Sequence, residues 1–502
     1  MNPSLTCPHS LTTLTLLFSC SIGDGGFEMS KSDIGIDTAG HIEVGGIDYI
    51  AESQRHGRPL GLFGIWAAAN VTYLYIVYGG LLVILGLQVW EALVICVVGN
   101  LWWFVVGWVA VSGPASGTPS VIIMRAMFGL RGNTLFGAGL GAAIAILFVI
   151  LNVTFAALAS NALLTALGLD VTPVGSFFLL LAVAALSLTL SVFGHATIER
   201  LSPYISGAVG ACFLLAGVYV LKAADWGFQS PALGGWERTA LWLVGLTIIA
   251  SGPLSWGTSA DFSRYLPTRS SSRGVVIWTA LGGIIPSVLL GALGVVAATC
   301  IDMNDPQTAI AAILPTYFYP VFLAAVIVGS IANNALTAYS AGLYVQTFAP
   351  RMRRWVIVLL VGIVCVVAAA YLVFLAPDLL ETLNYLIEIS VAVMGPLLAV
   401  YAIDIVLRRN RYNGLELSRT DPDSPFWFRG GWSLPGTAAM LIATTVALLM
   451  VNTTLYIGPI AAALDGADLS SIAGPTLAAV IYSTLWTHED RSAKHDALGA
   501  TA

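Results

Sequence analysis

The sequence predicts an all-α polytopic membrane protein with twelve transmembrane helices, and three observations carry that prediction. Thirty-eight consecutive uncharged residues run from Gly132 to Leu169, and forty-five from Pro306 to Pro350. Charged residues make up 10% of the chain, against about 25% in ordinary soluble domains. Crossing a hydrocarbon layer of about 30 Å takes ~20 apolar residues, and such stretches recur too often here for a soluble core. Leu, Val, Ala and Gly dominate them without the alternation of a β-barrel, so helices are favoured over strands.

In chain order the apolar segments lie near 62–87, 92–112, 134–165, 174–194, 198–221, 239–260, 274–300, 317–348, 355–376, 380–406, 435–457 and 469–487. Lys and Arg orient them. With the N-terminus inside, the cytoplasmic loops carry fourteen arginines from Arg125 to Arg429, and the external loops hold only Lys222 and Arg238. Basic residues stay on the cytoplasmic side, so a multi-pass protein of the cell membrane with both termini cytoplasmic is expected. Asp170, Asp225, Asp302, Asp305, Asp378, Asp465 and Asp468 fall in the external loops. The arginines clustered at 351–354 and 408–411 are read as topology determinants.

Leu11–Ser21 is weakly apolar, lacks a basic stretch before it and is too short to span. Met29 opens the polar run Met-Ser-Lys-Ser-Asp, so translation is expected to begin there, with residues 1–28 not translated. No basic arm points to nucleic acid. Cys96, Cys212, Cys300 and Cys365 lie in apolar segments without metal-ligand spacing and read as small hydrophobes. No cofactor is expected. An intramembrane enzyme would need a nucleophile–base set or a metal pair, and neither His-Glu-x-x-His nor Gly-x-Ser-x-Gly occurs. His56 and His195 sit at membrane edges. The chain is therefore expected not to be an enzyme.

What the segments do contain is interruption. The first carries Trp66-Ala-Ala-Ala-Asn70-Val71-Thr72 and the sixth Ala250-Ser251-Gly252-Pro253-Leu254-Ser255-Trp256. Pro253 has no backbone N–H and frees a carbonyl one turn earlier. A simple kink is the alternative, but secondary transporters bind substrate at discontinuous helices, and two five-helix repeats would put breaks in the first and sixth. Asn152 and Phe155 share a helical face that suits a flat heteroaromatic ring, Phe155 stacking and the amide reading the edge. Ser330, Asn333 and Asn334 lie together in the eighth segment, and adjacent buried amides are costly unless paired. Asn70, Ser251, Gly252, Ser255 and Trp256 complete the substrate candidates. Glu388, roughly 13 Å into the tenth segment at 1.5 Å per residue, is a proton carrier, a cation ligand or a structural hydrogen-bond partner. Asp261 and Arg264 either pair or form an inner gate, with Arg125 beside them as a gate or structural residue; simple anchoring of the helix end is the alternative.

Several motifs in order carry a family resemblance. They are Ile42-Glu43-Val44-Gly45-Gly46-Ile47-Asp48-Tyr49-Ile50, Arg55-His56-Gly57-Arg58-Pro59, Met124-Arg125-Ala126-Met127-Phe128-Gly129-Leu130-Arg131-Gly132, Ser259-Ala260-Asp261-Phe262-Ser263-Arg264-Tyr265-Leu266-Pro267, and Asn384-Tyr385-Leu386 with Pro396 and Asp404. From about Glu43 to Arg409 the chain resembles the nucleobase:cation symporter-1 family, in its purine–cytosine permease branch. The resemblance implies a leucine-transporter-like 5+5 inverted repeat plus two extra helices. Its domains would be a cytoplasmic tail 1–61, repeats 62–221 and 239–406, a cytoplasmic loop 407–434, the extra helices 435–487 and a tail 488–502. It implies import of a nucleobase, cytosine or a purine, by cation-coupled alternating access, with hydroxymethylpyrimidine, allantoin or a hydantoin-like compound as the alternative ligand. Na+ would sit on carbonyls near Ala68 and Val71 with the Ser330 hydroxyl, or H+ would couple through Glu388. Asn152 and Phe155 would take the place of a Gln and a Trp, and Gly252 that of an aromatic. A functional monomer is expected. A membrane sensor or a channel without coupled transport is the rival from another class.

Overall fold

Within a bilayer, backbone N–H and C=O groups need partners inside the protein, and the described residues supply them chiefly with helices. The computed structural model describes residues 39–43, 45–231, 234–303, 305–376 and 379–499, without the side chains of 379–384 and 487–499. The expected start at Met29, Asp378 and the Asn384 side chain lie outside the described residues. Among the described residues, extended pairing is limited to two isolated bridges, Arg429–Trp432 and Asn452–Ile457.

Each of the twelve predicted segments corresponds to one helix, whole or broken. They are α1 (Pro59–Asn70 and Leu74–Ile84), α2 (Val89–Ser116), α3 (Arg125–Ala166), α4 (Pro173–Phe193), α5 (His195–Ala223), α6 (Gly235–Leu254 and Ala260–Ser263), α7 (Ser272–Ala297), α8 (Tyr319–Gln346), α9 (Arg354–Phe374), α10 (Leu379–Leu407), α11 (Leu434–Met450) and α12 (Ser470–Gly499). Among the described residues eight helices are long and apolar enough to cross a membrane unbroken, and α1 makes a ninth across a 58° bend.

Local chemistry sets the ends. Pro59 and Pro173 occupy the first turns of α1 and α4, where a missing N–H costs nothing. Thr172 and Ser271 accept the Gly175 and Gly274 N–H groups and cap α4 and α7. The breaks are equally local. In α1 the helical bonding ends when Val71 N–H donates to the Ala67 carbonyl at 2.9 Å, and Val71 then leaves helical geometry at ψ 66°. In α6, Pro253 removes a donor, and two hydroxyls bond carbonyls of the same turn. Ser251 donates to Ile248 O at 2.6 Å and Ser255 to Gly252 O at 2.7 Å.

The core is split. Its two larger apolar clusters are one that gathers Trp66, Trp103, Trp256, Phe262 and Tyr339 and one that gathers Tyr73, Phe155, Phe213 and Phe322; a smaller third joins α3, α4, α8 and α9. The first lies toward the end that holds Arg264, Arg354 and Arg408, here the arginine-rich end. α3 and α8 pack along each other and run through both larger clusters. Gly79 on α1 lies against the Gly291 backbone of α7, and Gly294 against the Ile76 carbonyl. Side chains at those positions would hold the two helices apart.

Candidate functional site

Between the two larger apolar clusters lies a polar layer built by α1, α3 and α8. Asn152 of α3 donates from Nδ2 to the Phe148 carbonyl at 2.8 Å and to Asn333 Oδ1 of α8 at 2.9 Å. Asn333 in turn donates to the Ala69 carbonyl at 2.5 Å, at the unwound end of the first half of α1. Thr337, one turn along α8, donates to the Asn333 carbonyl at 2.9 Å and lies 3.2 Å from its Oδ1. Three helices thus meet through two amides, and the break in α1 is where the third joins.

Cavities flank this layer. Toward the arginine-poor end, a space of ≈ 600 Å³ is lined by Tyr73, Phe155, Asn161, Asp305 and Gln307 among others. Toward the arginine-rich end, a narrow one of ≈ 20 Å³ is lined by Phe148, Ser255, Trp256, Thr337 and Ser340. Phe148, Asn152 and Phe155 follow one face of α3, so a single helical stripe passes from one cavity to the other.

The remaining candidates divide. Trp256 borders the narrow cavity and packs edge-on against Trp66, centroids 5.1 Å apart. Phe155 borders the wide one and packs edge-on against Tyr73 at 6.5 Å. The two therefore face different cavities, and it is Phe148 that shares one with Trp256. Phe148 was missed by sequence reasoning, although its place four residues before Asn152 on the same helical face was a signal. The Asn70 amide is engaged within α1, donating to Trp66 O at 2.7 Å and accepting from the Tyr75 hydroxyl at 2.6 Å. Ser251 is fully buried on its own helix turn, and Gly252 faces the Tyr75 hydroxyl.

Ser330 and Asn334 lie one turn apart on α8, both buried, and neither the hydroxyl nor either amide atom has a hydrogen-bond partner. Buried polar atoms are nearly always satisfied, which makes this face a candidate for binding. Beyond the last helical bond of α1, the carbonyls of Ala68 and Val71 have no α-helical donor. Gly329, the neighbour of Ser330, lets the Val71 carbonyl press against α8 where a Cβ would collide. These oxygens suit a small hard cation. Among the described residues no cluster of three His, Cys, Asp or Glu side chains could hold a metal. Glu388 is buried in α10 with Oε2 unpartnered.

At the arginine-rich end Asp261 and Arg264 do not pair with each other, which was one of the readings their spacing left open. Asp261 accepts the Ser120 N–H at 2.8 Å, and Arg264 reaches Glu43 of the pre-helix segment at 3.3 Å. The clustered arginines also do more than set topology. Arg354 is buried against Glu43 at 3.1 Å, and Arg408 binds Asp404 at 2.9 Å. Arg125 donates to the Leu417 carbonyl at 2.8 Å and pins the loop after α10. His195, expected at a membrane edge, is buried beneath Tyr265 with centroids 3.9 Å apart. Glu43 was not singled out, although an acidic residue in a segment facing so many arginines was the signal.

Two broken helices set against an unbroken pair, with a polar layer at midspan between cavities at either end, define a membrane transporter of the discontinuous-helix kind. Residues 49–474 match the family described as permease for cytosine/purines, uracil, thiamine and allantoin, and the chain belongs to it. It is 25% identical over 464 residues to YxlA of Bacillus subtilis (strain 168), named there as a candidate purine-cytosine permease; the match covers 88% of this chain and 94% of that one. The fold is similar to that of Mhp1, a nucleobase-cation-symport-1 family transporter solved in a closed conformation with bromovinylhydantoin bound. That likeness has a TM-score of 0.70 at 18% identity, covering 89% of this chain and 96% of the other. It extends to MhsT, solved with L-phenylalanine, at a TM-score of 0.55 and 11% identity over 85% of this chain and 98% of that one. The leucine-transporter-like architecture expected from the motifs is the fold of this protein, and it is a transporter, not an enzyme. The family match runs on through α11 into α12, well past Arg409 where the motif resemblance ends.

Proposed function

We propose that this permease imports a nucleobase, cytosine or a purine, across the cytoplasmic membrane by cation-coupled alternating access. The observation that carries the reading is the Asn152–Asn333 pair at 2.9 Å, seated between a cavity of ≈ 600 Å³ on one side and one of ≈ 20 Å³ on the other. An amide layer with wide space on one side and little on the other is what one state of alternating access requires. With the arginine-rich end cytoplasmic, as charge bias directs, the wide cavity faces outward and both termini lie inside. The heterocycle enters past Tyr73 and Phe155 and sets its edge against Asn152. Phe148 and Trp256 then take the ring as the inner side opens. The orphaned Asn334 amide supplies a further contact.

Na+ at the Ala68 and Val71 carbonyls and the Ser330 hydroxyl is the coupling ion this reading favours, because those oxygens lack partners. The repeats 62–221 and 239–406 rock about the layer, and the monomer is the working unit. A hydantoin-like, allantoin or hydroxymethylpyrimidine ligand is the second reading, supported by the family's description and by the hydantoin bound to Mhp1.

Thermal shift of the purified permease against cytosine, adenine, hypoxanthine, uracil and allantoin tests the substrate. One base is expected to raise the melting temperature in wild type and not in Asn152→Ala. Stabilisation by none of the five, but by a hydantoin, would replace the first reading with the second.

A further inference from the structure

The two amides of the polar layer have only one workable orientation, and it gives the layer a direction. A backbone carbonyl can only accept. Phe148 O therefore fixes the nitrogen of Asn152 toward it at 2.8 Å, and Ala69 O fixes the nitrogen of Asn333 at 2.5 Å. Turning either amide over would set oxygen against oxygen. With both nitrogens assigned, Asn333 Oδ1 receives the Asn152 N–H at 2.9 Å. Both donors of Asn152 are spent inside the protein, and its oxygen is what remains for a ligand. The chain of bonds runs from that oxygen through Asn152 and Asn333 to the Ala69 carbonyl, which lies between Ala68 and Val71.

Resting on the reading above, we propose that Asn333 is the residue through which substrate and cation sense one another: a positioning residue that touches neither. A substrate N–H donating to Asn152 Oδ1 polarises that amide and strengthens its donation to Asn333, as bonds in a chain reinforce each other. Asn333 then holds the Ala69 peptide more firmly, and the adjoining peptides present the Ala68 and Val71 carbonyls in the orientation a cation needs. Linkage makes the effect reciprocal: a cation on those carbonyls fixes Ala69, Asn333 and Asn152 in turn and tightens substrate binding. Thr337 braces Asn333 without standing in the path.

The test measures equilibrium binding of tritiated nucleobase to purified permease with and without Na+, using the tightest binder among cytosine, adenine, hypoxanthine, uracil and allantoin. Wild type is expected to bind more tightly in Na+ by a factor within the usual coupling range of about 5 to 150. Asn333→Leu should bring that ratio close to one, whatever it does to the cation-free affinity. Thr337→Val, which loses a hydroxyl on the same residue, should keep the ratio. If the leucine variant fails to fold, Asn333→Ser serves, since its side chain cannot span both partners. A wild-type ratio retained in the folded Asn333 variants overturns the relay and leaves the transport reading standing. A wild type indifferent to Na+, or one that binds none of the five bases, removes the cation or substrate reading and the relay with it.

Discussion

Glu43 and Arg354 lie 311 positions apart in the chain and 3.1 Å apart in the fold. The same carboxylate accepts the His195 backbone N–H at 3.0 Å, Arg264 at 3.3 Å, and the hydroxyls of Tyr265 at 2.9 Å and Tyr339 at 3.1 Å. One side chain of the pre-helix segment thereby ties α5, α6, α8 and α9 together where the site's cavity is narrow. Parts that must separate if the arginine-rich end is to open are held by this group.

Glu43→Ala leaves two guanidiniums buried without their carboxylate, and breaking a buried pair costs about 3–5 kcal/mol. The variant is expected to melt earlier. It should also expose a cysteine at Thr337→Cys, beside the narrow cavity, to a thiol reagent applied from the cytoplasmic side. Unchanged melting together with no new labelling would contradict the latch.

The same carboxylate has a pH signature. Burial pushes the Glu43 carboxyl up, but Arg354 and Arg264 outweigh burial and hold it below its ordinary 4.5. A group with a lowered native pKa contributes stability that is full above its unfolded value and is lost as pH falls through the native one. The difference in melting temperature between wild type and Glu43→Gln should therefore be largest above 4.5 and shrink in more acid buffer. A gap that does not change with pH would show that the charge is not what holds the cluster.

Much of this was legible in the sequence, for reasons that are local. The spans follow from uncharged stretches, and the breaks in α1 and α6 follow from Asn70-Val71-Thr72 and Gly252-Pro253, whose chemistry acts within one turn. The polar layer could be listed but not wired: nothing in the chain pairs Asn152 with Asn333, 181 positions away. That pairing depends on how α3 and α8 rotate against each other. Asp261 and Arg264 show the converse: helical spacing puts them within reach of each other, but tertiary partners, Ser120 and Glu43, claim each one. Arg354 and Arg408 look like any other arginine to a topology count, and only the fold shows Arg354 buried against Glu43 and Arg408 paired with Asp404.

Gly252 is a site where one methyl group should matter. An added Cβ would lie 2.8 Å from the Tyr75 hydroxyl, which holds Asn70 at the α1 break. Overpacking of this kind costs about 1–3 kcal/mol. Gly252→Ala is expected to lower initial uptake rates, and adding Tyr75→Phe should recover part of the loss by removing the colliding oxygen. Full activity in the single variant would mean that the two helices are free to part there.

Phe148 is expected to carry more of the ligand affinity than its absence from the motifs implied. Its truncation to alanine forfeits about 1.5–3 kcal/mol of apolar burial, a rise in the apparent dissociation constant of roughly ten- to 150-fold. Competition binding on Phe148→Ala and Phe155→Ala separates the two rings. A loss confined to Phe155→Ala would place the bound ring in the wide cavity instead.

Ser330 and Glu388 separate the coupling ions. Ser330→Ala should weaken uptake driven by a sodium gradient, and Glu388→Gln should leave it intact. The reverse pattern, with transport surviving in Ser330→Ala and failing in Glu388→Gln under a proton gradient, would assign coupling to the carboxyl of α10.

The most direct test is uptake of the five tritiated bases into proteoliposomes, with sodium and proton gradients imposed separately. One base is expected to accumulate above its external concentration under the sodium gradient, and Asn152→Ala to abolish that accumulation. Equilibration without accumulation under either gradient, or accumulation that Asn152→Ala leaves unchanged, would contradict that expectation.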